Sequence, residues 1–234
     1  MTDRLLGILD FPPDPLRYQY SEQDSDSVTG ALPTLIPPGS RVLEVGCGLG
    51  AMLQFFNKIP GVTTVGIEPN ADRAAAAQSN GFDVRCIFLT EATAVSLGTF
   101  GVIVFADVLE HLFDPGDLLV IAHSMLRPGG FVLASIPYVG HWTIRRSVLR
   151  GRFDDAPFGL MDATHIRWFT AASVQRLFTA AGYSRIDLSW TTGHHSAEYA
   201  WIPKRQGVLR KLVDLCLGVF GFQHIVKATP ESGA

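Results

Sequence analysis

The chain has 234 residues, of which 47% are apolar and 18% charged, and it can therefore bury a full core as one domain. Its formal net charge of −3 provides no basic face, which disfavours a nucleic-acid partner. Its 3 cysteines form no C-x-x-C pair, which argues against a disulfide framework or a zinc site and favours a reduced, cytoplasmic location.

Residues 1–38 form a predicted leader interrupted by prolines. An early acid and these prolines stand where an export signal would need a long apolar core. We therefore do not expect export.

A buried strand followed by a glycine turn is predicted at Arg41–Gly50, RVLEVGCGLG. Its apolar residues suit a strand that is covered on both faces. Gly46, Gly48 and Gly50 then allow positive φ and let a ligand lie against the main chain, with the N-terminus of the next helix directed at it. This pattern is typical of a nucleotide-binding turn.

The glycine spacing discriminates between nucleotides. A dinucleotide site has G-x-G-x-x-G, whereas the third glycine here comes one residue early. Glu44, within the strand, would repel a pyrophosphate but would suit a ligand that carries an ammonium and a sulfonium. NAD is therefore the weaker alternative.

A second acid follows the next strand. Val62–Ile67 ends at Glu68, which lies 22 positions after Gly46, close to the ~20 expected for an acid that accepts hydrogen bonds from both ribose hydroxyls of an adenosine. A helix at Ala71–Asn80 and a third strand at Phe82–Phe88 are predicted next.

The fourth predicted strand, Phe100–Ala106, is followed by the hexapeptide D-V-L-E-H-L. The carboxyl end of such a strand is where open α/β sheets bind their ligands. A helix that starts at Asp114-Pro115 and the turn L-R-P-G-G-F lead to a fifth strand, Phe131–Ile136.

Four features together resemble motifs of the class I S-adenosyl-L-methionine (SAM)-dependent methyltransferases: E-V-G-C-G-x-G, the acid at Glu68, D-V-L-E-H-L and L-R-P-G-G-F. The likeness covers roughly residues 40–190. It implies an α/β, Rossmann-like, doubly wound fold with a seven-stranded, mostly parallel sheet whose last strand is antiparallel. It also implies SAM as cofactor and S-adenosyl-L-homocysteine as product.

The resemblance implies a set of cofactor-binding residues. Glu91 is included because the aspartate usual after the third strand is absent; the alternative is that main chain and apolar contacts alone hold the adenine. Tyr20 is included because a leader of this sort closes over the cofactor in related enzymes; the equal alternative is a tyrosine that covers apolar surface. At D-V-L-E-H-L, His111 is a candidate catalytic residue, with orientation of the following turn as the alternative role. The full cofactor set is Tyr20, Glu44, Gly46, Cys47, Gly48, Gly50, Glu68, Pro69, Glu91, Asp107, Val108 and Leu109.

Residues 39–234 are predicted to form the methyltransferase domain, with an acceptor lobe inserted at about 138–170. Its sequence FDDAPFGLMDATHIRWFT, residues 153–170, resembles a bacterial UbiG-like, or type 23, subgroup that is partly linked to glycan synthesis. Interleaved acids, bases and aromatics suit a polar acceptor rich in hydroxyls. The predicted substrate-binding residues are Tyr138, His141, Trp142, Arg152, Asp162 and Arg167.

His165 is the predicted general base of this lobe, because an imidazole can accept a proton near neutral pH. The equal alternative is an internal network in which Asp162, Thr164, His165 and Arg167 anchor the lobe.

Towards the C-terminus we predict a helix at Ala171–Ala181, strands at Tyr183–Trp190 and Phe220–Ala228, and a basic amphipathic helix at Lys204–Val219 between them. Core packing of that helix is favoured over contact with a membrane surface. The apolar run Leu215–Phe222 is far shorter than the ~20 residues of a membrane span. His194, His195 and Glu198 lack further ligands at a suitable spacing, so no metal is predicted.

These patterns predict a SAM-dependent O-methyltransferase acting on a small polar acceptor, most directly a hydroxyl of a sugar-containing molecule. A regulatory or partner-binding protein with this fold and an NAD-dependent oxidoreductase are the alternatives. The sequence leaves the acceptor, the methylated atom and the oligomeric state open.

Overall fold

The computed structural model describes residues 27–191 and 217–231. Its strands are β1 (Arg41–Val45), β2 (Thr63–Ile67), β3 (Val84–Arg85), β4 (Phe100–Ala106), β5 (Leu126–Pro137), β6 (Tyr183–Thr191) and β7 (Gln223–Pro230). Its helices are α1 (Val28–Thr34), α2 (Leu53–Phe56), α3 (Ala71–Ser79), α4 (Glu91–Leu97), α5 (Pro115–Ser124), α6 (Trp142–Val148), α7 (Ala171–Ala180) and α8 (Leu217–Phe220), with a 3₁₀ helix at Leu109–His111.

The strands form one sheet in the order β3-β2-β1-β4-β5-β7-β6. β1 pairs in parallel with β2 and β4, and β7 is antiparallel to both β5 and β6. This confirms the predicted mostly parallel seven-stranded sheet with an antiparallel last strand. The strand order reverses at β1, because β2 and β3 extend the sheet on one side of β1 and β4 extends it on the other. In open α/β sheets the ligand binds beyond the carboxyl ends of the two strands at such a reversal, here β1 and β4.

Side-chain N-caps precede several helices, among them α3, α4 and α7. The side chains of Asn70, Thr90 and Thr170 accept hydrogen bonds from the backbone N–H groups of the third residue of α3, α4 and α7, respectively. Such contacts satisfy N–H groups that have no partner within the helix. The caps fix where each helix starts beside the sheet.

The predicted bounds of the third and fifth strands are wrong. β3 contains only Val84–Arg85 because the Phe82 side chain packs against the glycine turn and Phe88 is exposed. β5 starts at Leu126, so Gly129 and Gly130 lie inside it, beside a register shift in β4. A Cβ at Gly130 would lie 2.9 Å from the carbonyl oxygen of Gly101, and the irregular pairing therefore requires glycine there.

Apolar side chains cover both faces of the sheet. α1 belongs to the core on one face, where Val28 and Leu32 are buried together with Phe56. The last part of the predicted leader therefore packs against the domain. Residues 1–26, and with them Tyr20, lie outside the described residues.

The described helices include none that is both long and apolar enough to cross a membrane. Most of the predicted helix at 204–219 and the segment with His194, His195 and Glu198 fall outside the described ranges. In the final segment, β7 begins at Gln223, three residues later than predicted.

Candidate active site

A cavity of about 580 Å³ lies at the carboxyl ends of β1, β2 and β4. Its lining comes from the glycine turn after β1, from Glu68-Pro69 after β2, and from six residues at and after the end of β4: Ala106, Asp107, Val108, Glu110, His111 and Leu112. The rest of the wall comes mainly from four residues of the predicted acceptor lobe, Gly159, Leu160, Thr164 and His165, and from Phe222-Gln223, where β7 begins. Segments that are far apart in sequence thus meet at the sheet edge where the motifs were predicted to act.

The turn after β1 is held close to two neighbouring segments. The N–H groups of Gly46 and Cys47 donate to the carbonyl oxygen of Ile67 at 2.8 and 3.1 Å. Gly46 has φ 71°, and a Cβ there would lie 2.8 Å from Cγ2 of Val108. Only glycine permits both the conformation and this close approach.

Glu68 joins the turns that follow β1 and β2. Its Oε2 accepts a hydrogen bond from the Gly48 N–H at 2.9 Å, and its Oε1 accepts one from the Asn70 N–H at 2.9 Å. These bonds fix the carboxylate at the cavity wall, and each oxygen retains a further lone pair. The geometry suits an acid that accepts from ribose hydroxyls.

Glu44 is a buried acid in the wall of the same cavity, and its Oε2 has no hydrogen-bond partner in the part of the chain described. Burial, reinforced by Glu68, raises the pKa of Glu44 well above its ordinary value. Burial and these two carboxylates also raise the pKa of the Cys47 thiol. A cationic ligand would relieve the unfavourable burial of Glu44.

Asp107 occupies a strained position after β4, with φ 54°. Its Oδ1 accepts hydrogen bonds from Oγ of Ser135 at 2.8 Å and from Nε2 of Gln223 at 2.7 Å. Sequence reasoning missed both partners, because no motif links β5 or β7 to this aspartate.

Glu110, His111 and His165 come together in the cavity wall. The two imidazole centroids lie 4.9 Å apart, and Nε2 of His165 lies 3.9 Å from Oε1 of Glu110. Burial, reinforced by Asp107, raises the pKa of Glu110. The two predicted catalytic histidines are thus neighbours, and Glu110 of the motif after β4 places a buried carboxylate beside His165 of the lobe.

The backbone of the lobe orients this cluster. Nδ1 of His111 lies 3.0 Å from the carbonyl oxygen of Thr164, and Nδ1 of His165 lies 3.2 Å from that of Leu160. The carbonyl oxygen of Glu110 in turn accepts from the N–H groups of Ile166 and Arg167. The 3₁₀ helix and the segment 160–167 therefore form one unit.

Three of the predicted cofactor residues do not line the cavity. Leu109 is fully buried in the core, and Glu91 is exposed at the start of α4. A Cβ at Gly50 would lie 2.4 Å from the ring of Phe82, so this glycine accommodates packing within the turn. The other described members of the set do line it: Glu44, Gly46, Cys47, Gly48, Glu68, Pro69, Asp107 and Val108.

None of the six predicted substrate-binding residues lines the cavity, and three of them are buried structural groups. Asp162 accepts hydrogen bonds from the N–H and hydroxyl of Thr164 at 2.8 and 2.6 Å. His141 caps α6, and burial lowers its pKa to about 4. The Tyr138 hydroxyl donates to the carbonyl oxygen of Gly218 at 2.9 Å. These three polar groups thus have partners within the protein and lie outside the cavity wall.

The other three lie at the periphery of the lobe. Arg152 pairs with Asp154 at an exposed position, with 2.7 Å between the charged groups. Arg167 donates to the carbonyl oxygen of Phe113 through Nε at 2.8 Å, and Trp142 begins α6. Arg167 therefore anchors the lobe to the segment that follows the 3₁₀ helix.

The sheet order and the glycine turn with its two acids define the fold and site of a class I SAM-dependent methyltransferase. A family model described as a methyltransferase domain, type 23, matches residues 16–188. The chain belongs to this family. It therefore contains a methyltransferase domain, and the cavity described above lies where such a domain would hold SAM.

Two solved structures share the fold. A SAM-dependent methyltransferase from Archaeoglobus fulgidus aligns with a TM-score of 0.60 and 16% identity over 86% of this chain and 92% of that one. The phosphoethanolamine N-methyltransferase 2 of Haemonchus contortus, solved in complex with SAM, aligns with a TM-score of 0.52 and 15% identity over 84% and 50% of the two chains.

Among curated relatives, the ubiquinone biosynthesis O-methyltransferase of Nitrobacter winogradskyi is 32% identical over 103 residues, which is 42% of this chain and 38% of that protein. The alignments with this group of relatives thus span less than half of their length.

Proposed function

We propose that this enzyme is an O-methyltransferase that transfers the methyl group of SAM to a hydroxyl of a small acceptor. The observation that carries the proposal is that one cavity is lined both by the glycine turn with its two acids and by the Glu110, His111 and His165 cluster. The similarity to ubiquinone biosynthesis O-methyltransferases supports a hydroxyl as the acceptor group.

The residues of the turn fit the cofactor. In this proposal Glu44 accepts hydrogen bonds from the ammonium of SAM, which gives its buried Oε2 a partner. Glu68 accepts from the ribose hydroxyls, and the absence of side chains at Gly46 and Gly48 lets the cofactor approach the main chain.

The remaining wall favours an acceptor that is partly apolar. Val108, Leu112, Leu160 and Phe222 line the cavity together with the two histidines, a mixture typical of pockets that hold an apolar frame and orient one polar group. The sugar-containing acceptor predicted from the sequence has weaker support, since its six proposed contacts lie outside this wall.

Catalysis then requires positioning and removal of one proton. When bound, SAM supplies a methyl group that its sulfonium has already activated. The cavity wall holds the acceptor hydroxyl in line with that group, which accounts for most of the acceleration. The hydroxyl must also lose a proton, and assistance to this step beside Glu110, His111 and His165 contributes typically ~10²–10⁴.

The test is methyl transfer from SAM carrying a labelled methyl group to three probes: 3,4-dihydroxybenzoate, a methyl glucoside and ethanolamine phosphate. We expect label in the dihydroxybenzoate and little in the other two. Glu68→Ala serves as the control and should weaken binding of S-adenosyl-L-homocysteine in calorimetry. Label in the glucoside alone would favour the sugar acceptor, and label in the amine alone would contradict an O-methyltransferase.

A further inference from the structure

The tautomers of His111 and His165 follow from their hydrogen bonds. A carbonyl oxygen can only accept, so Nδ1 of His111 carries the hydrogen that faces Thr164, and Nδ1 of His165 carries the one that faces Leu160. In each neutral ring Nε2 is then the acceptor nitrogen. Two imidazole lone pairs are thereby assigned within the cavity wall.

Glu110 adds a third acceptor at the same place. Its side chain is 1% exposed, and neither carboxylate oxygen has a hydrogen-bond donor among the residues described. The 3.9 Å between its Oε1 and Nε2 of His165 is too long for a hydrogen bond. One ligand atom from each of Glu110, His111 and His165 lies within 4.8 Å of the others.

We propose that Glu110, His111 and His165 bind a divalent transition-metal cation. Two imidazole nitrogens and one carboxylate are a ligand set used by Zn²⁺, Co²⁺ and Fe²⁺, with open positions left for water or substrate. The site differs from the sequence prediction of no metal, because His165 is 55 positions away from Glu110 and only the fold brings the two together.

The surroundings of the three ligands support a cation. Metal-binding histidines usually donate their other ring N–H to a carboxylate or a backbone carbonyl, as His111 and His165 do here. Metal–ligand distances of about 2.1 Å would bring the ligand atoms to roughly 3–3.5 Å from one another, which requires shifts of less than about 1 Å per side chain. Hydrogen bonds from Ile166 and Arg167 to the Glu110 carbonyl hold the two segments in register.

The role of the cation rests on the proposed function. An acceptor hydroxyl that binds at an open position becomes more acidic and releases its proton to solvent. Its oxygen then forms the bond to the methyl carbon as the carbon–sulfur bond breaks, with that electron pair remaining on sulfur. His111 and His165 are ligands in this account, and neither accepts the proton at Nε2.

The test is titration of the full chain with cobalt chloride, followed by the visible absorption of bound Co²⁺, and competition with zinc chloride. We expect one equivalent to bind with a spectrum of low-symmetry Co²⁺. Because loss of an outer-sphere contact alone costs 10–100-fold in metal affinity, His165→Gln and Glu110→Gln should each weaken binding by at least about 100-fold.

Two controls make the result decisive. The double variant His194→Gln/His195→Gln removes the adjacent histidine pair that could bind the probe elsewhere and should leave the spectrum unchanged. Calorimetry with S-adenosyl-L-homocysteine reports whether each variant is folded, and its affinity should stay within about 3-fold of the wild type. Absence of binding, or binding lost in the double variant but kept in His165→Gln, overturns the metal site. Either result leaves the O-methyltransferase proposal intact, since that is tested by transfer to the hydroxyl probe.

Discussion

The side-chain amide of Gln223 donates a 2.7 Å hydrogen bond to Oδ1 of Asp107, across 116 positions of the sequence. It ties the first residue of β7 to the turn after β4. Ser135 of β5 donates to the same oxygen, so three strands hold a single carboxylate in the cavity wall. Because Asp107 has φ 54°, an unfavourable conformation for a non-glycine residue, these bonds also maintain its backbone.

The first prediction concerns this contact. Gln223→Leu removes the donor and should lower the free energy of unfolding by about 1–2 kcal/mol, the usual cost of losing one side-chain hydrogen bond inside a protein. It should also reduce kcat/KM for methyl transfer about tenfold, because Asp107 is no longer held in the wall. Urea unfolding and steady-state kinetics measure the two effects.

Gln78→Leu is the matched control. Its Nε2 donates a 2.7 Å hydrogen bond to the carbonyl oxygen of Val84, away from the residues that line the cavity. We expect a stability loss of similar size with unchanged kcat/KM. Equal loss of activity in both variants would mean that Gln223 acts through general stability alone.

The second prediction is that Glu44 opposes folding and supports binding. Its burial disfavours the charged form, and Glu44→Gln should therefore raise the free energy of unfolding of the ligand-free protein at pH 7 by about 1 kcal/mol. The same change removes the charge proposed to face the SAM ammonium. We expect affinity for S-adenosyl-L-homocysteine, measured by calorimetry, to fall at least about tenfold.

The pH dependence gives this prediction its sign. Since the pKa of Glu44 is higher in the folded than in the unfolded chain, the native state binds more protons, and the Glu44 contribution to stability falls as the pH rises above about 4.3. Glu44→Gln should abolish that part of the slope. A variant less stable than the wild type at pH 7 would contradict this account.

The third prediction separates steric contact from backbone conformation in the glycine turn. Gly50 and Gly39 have φ 83° and 76°, but a Cβ would meet the Phe82 ring at Gly50 and nothing within 4 Å at Gly39. Gly39→Ala should cost only the ~1 kcal/mol of the positive φ. Gly50→Ala should cost a further ~1–3 kcal/mol for overpacking, seen as a lower urea midpoint. Similar midpoints would show that Phe82 moves away freely.

The sequence predicts features that depend on residues close together in the chain, and it does not predict contacts between distant segments. β1 and β4 are short, mostly apolar runs. Glu44, the glycine turn and Glu68 follow one another at short spacings in the sequence. The sheet and the cofactor side of the cavity could therefore be predicted. Two other contacts could not be predicted: Glu110 with His165, and Asp107 with Gln223. Each joins segments that are distant in sequence, and hydrophobic periodicity carries no information about such contacts.

In the acceptor lobe, residues predicted to bind substrate are buried instead. Tyr138, His141 and Asp162 are polar residues of one inserted segment, and this composition is typical of a binding surface. The fold buries them instead and satisfies them internally. Residue type alone does not distinguish a polar side chain that binds a ligand from one that stabilises a loop through internal hydrogen bonds.

The fourth prediction concerns acid stability and the buried ring of His224. This ring lies 4.1 Å from that of Trp190, between centroids, and neither of its nitrogens has a hydrogen-bond partner within residues 27–191 and 217–231. Burial lowers the pKa of His224 to about 4. Because the unfolded chain binds a proton near pH 6.5 and the native state does not, stability is lost as the pH falls from about 6.5 towards 4.

We expect His224→Leu, a change of similar volume, to be neutral or stabilising at pH 7, since it removes a buried polar group without a partner. At pH 5 the variant should retain about 2 kcal/mol of stability that the wild type loses, measured by urea unfolding at both values. His141→Asn provides an independent comparison: it keeps an N-cap acceptor for α6 and removes the other imidazole whose pKa burial lowers to about 4. It should recover a similar amount, and the same loss between pH 7 and 5 in the wild type and both variants would show that these two rings do not cause the acid sensitivity.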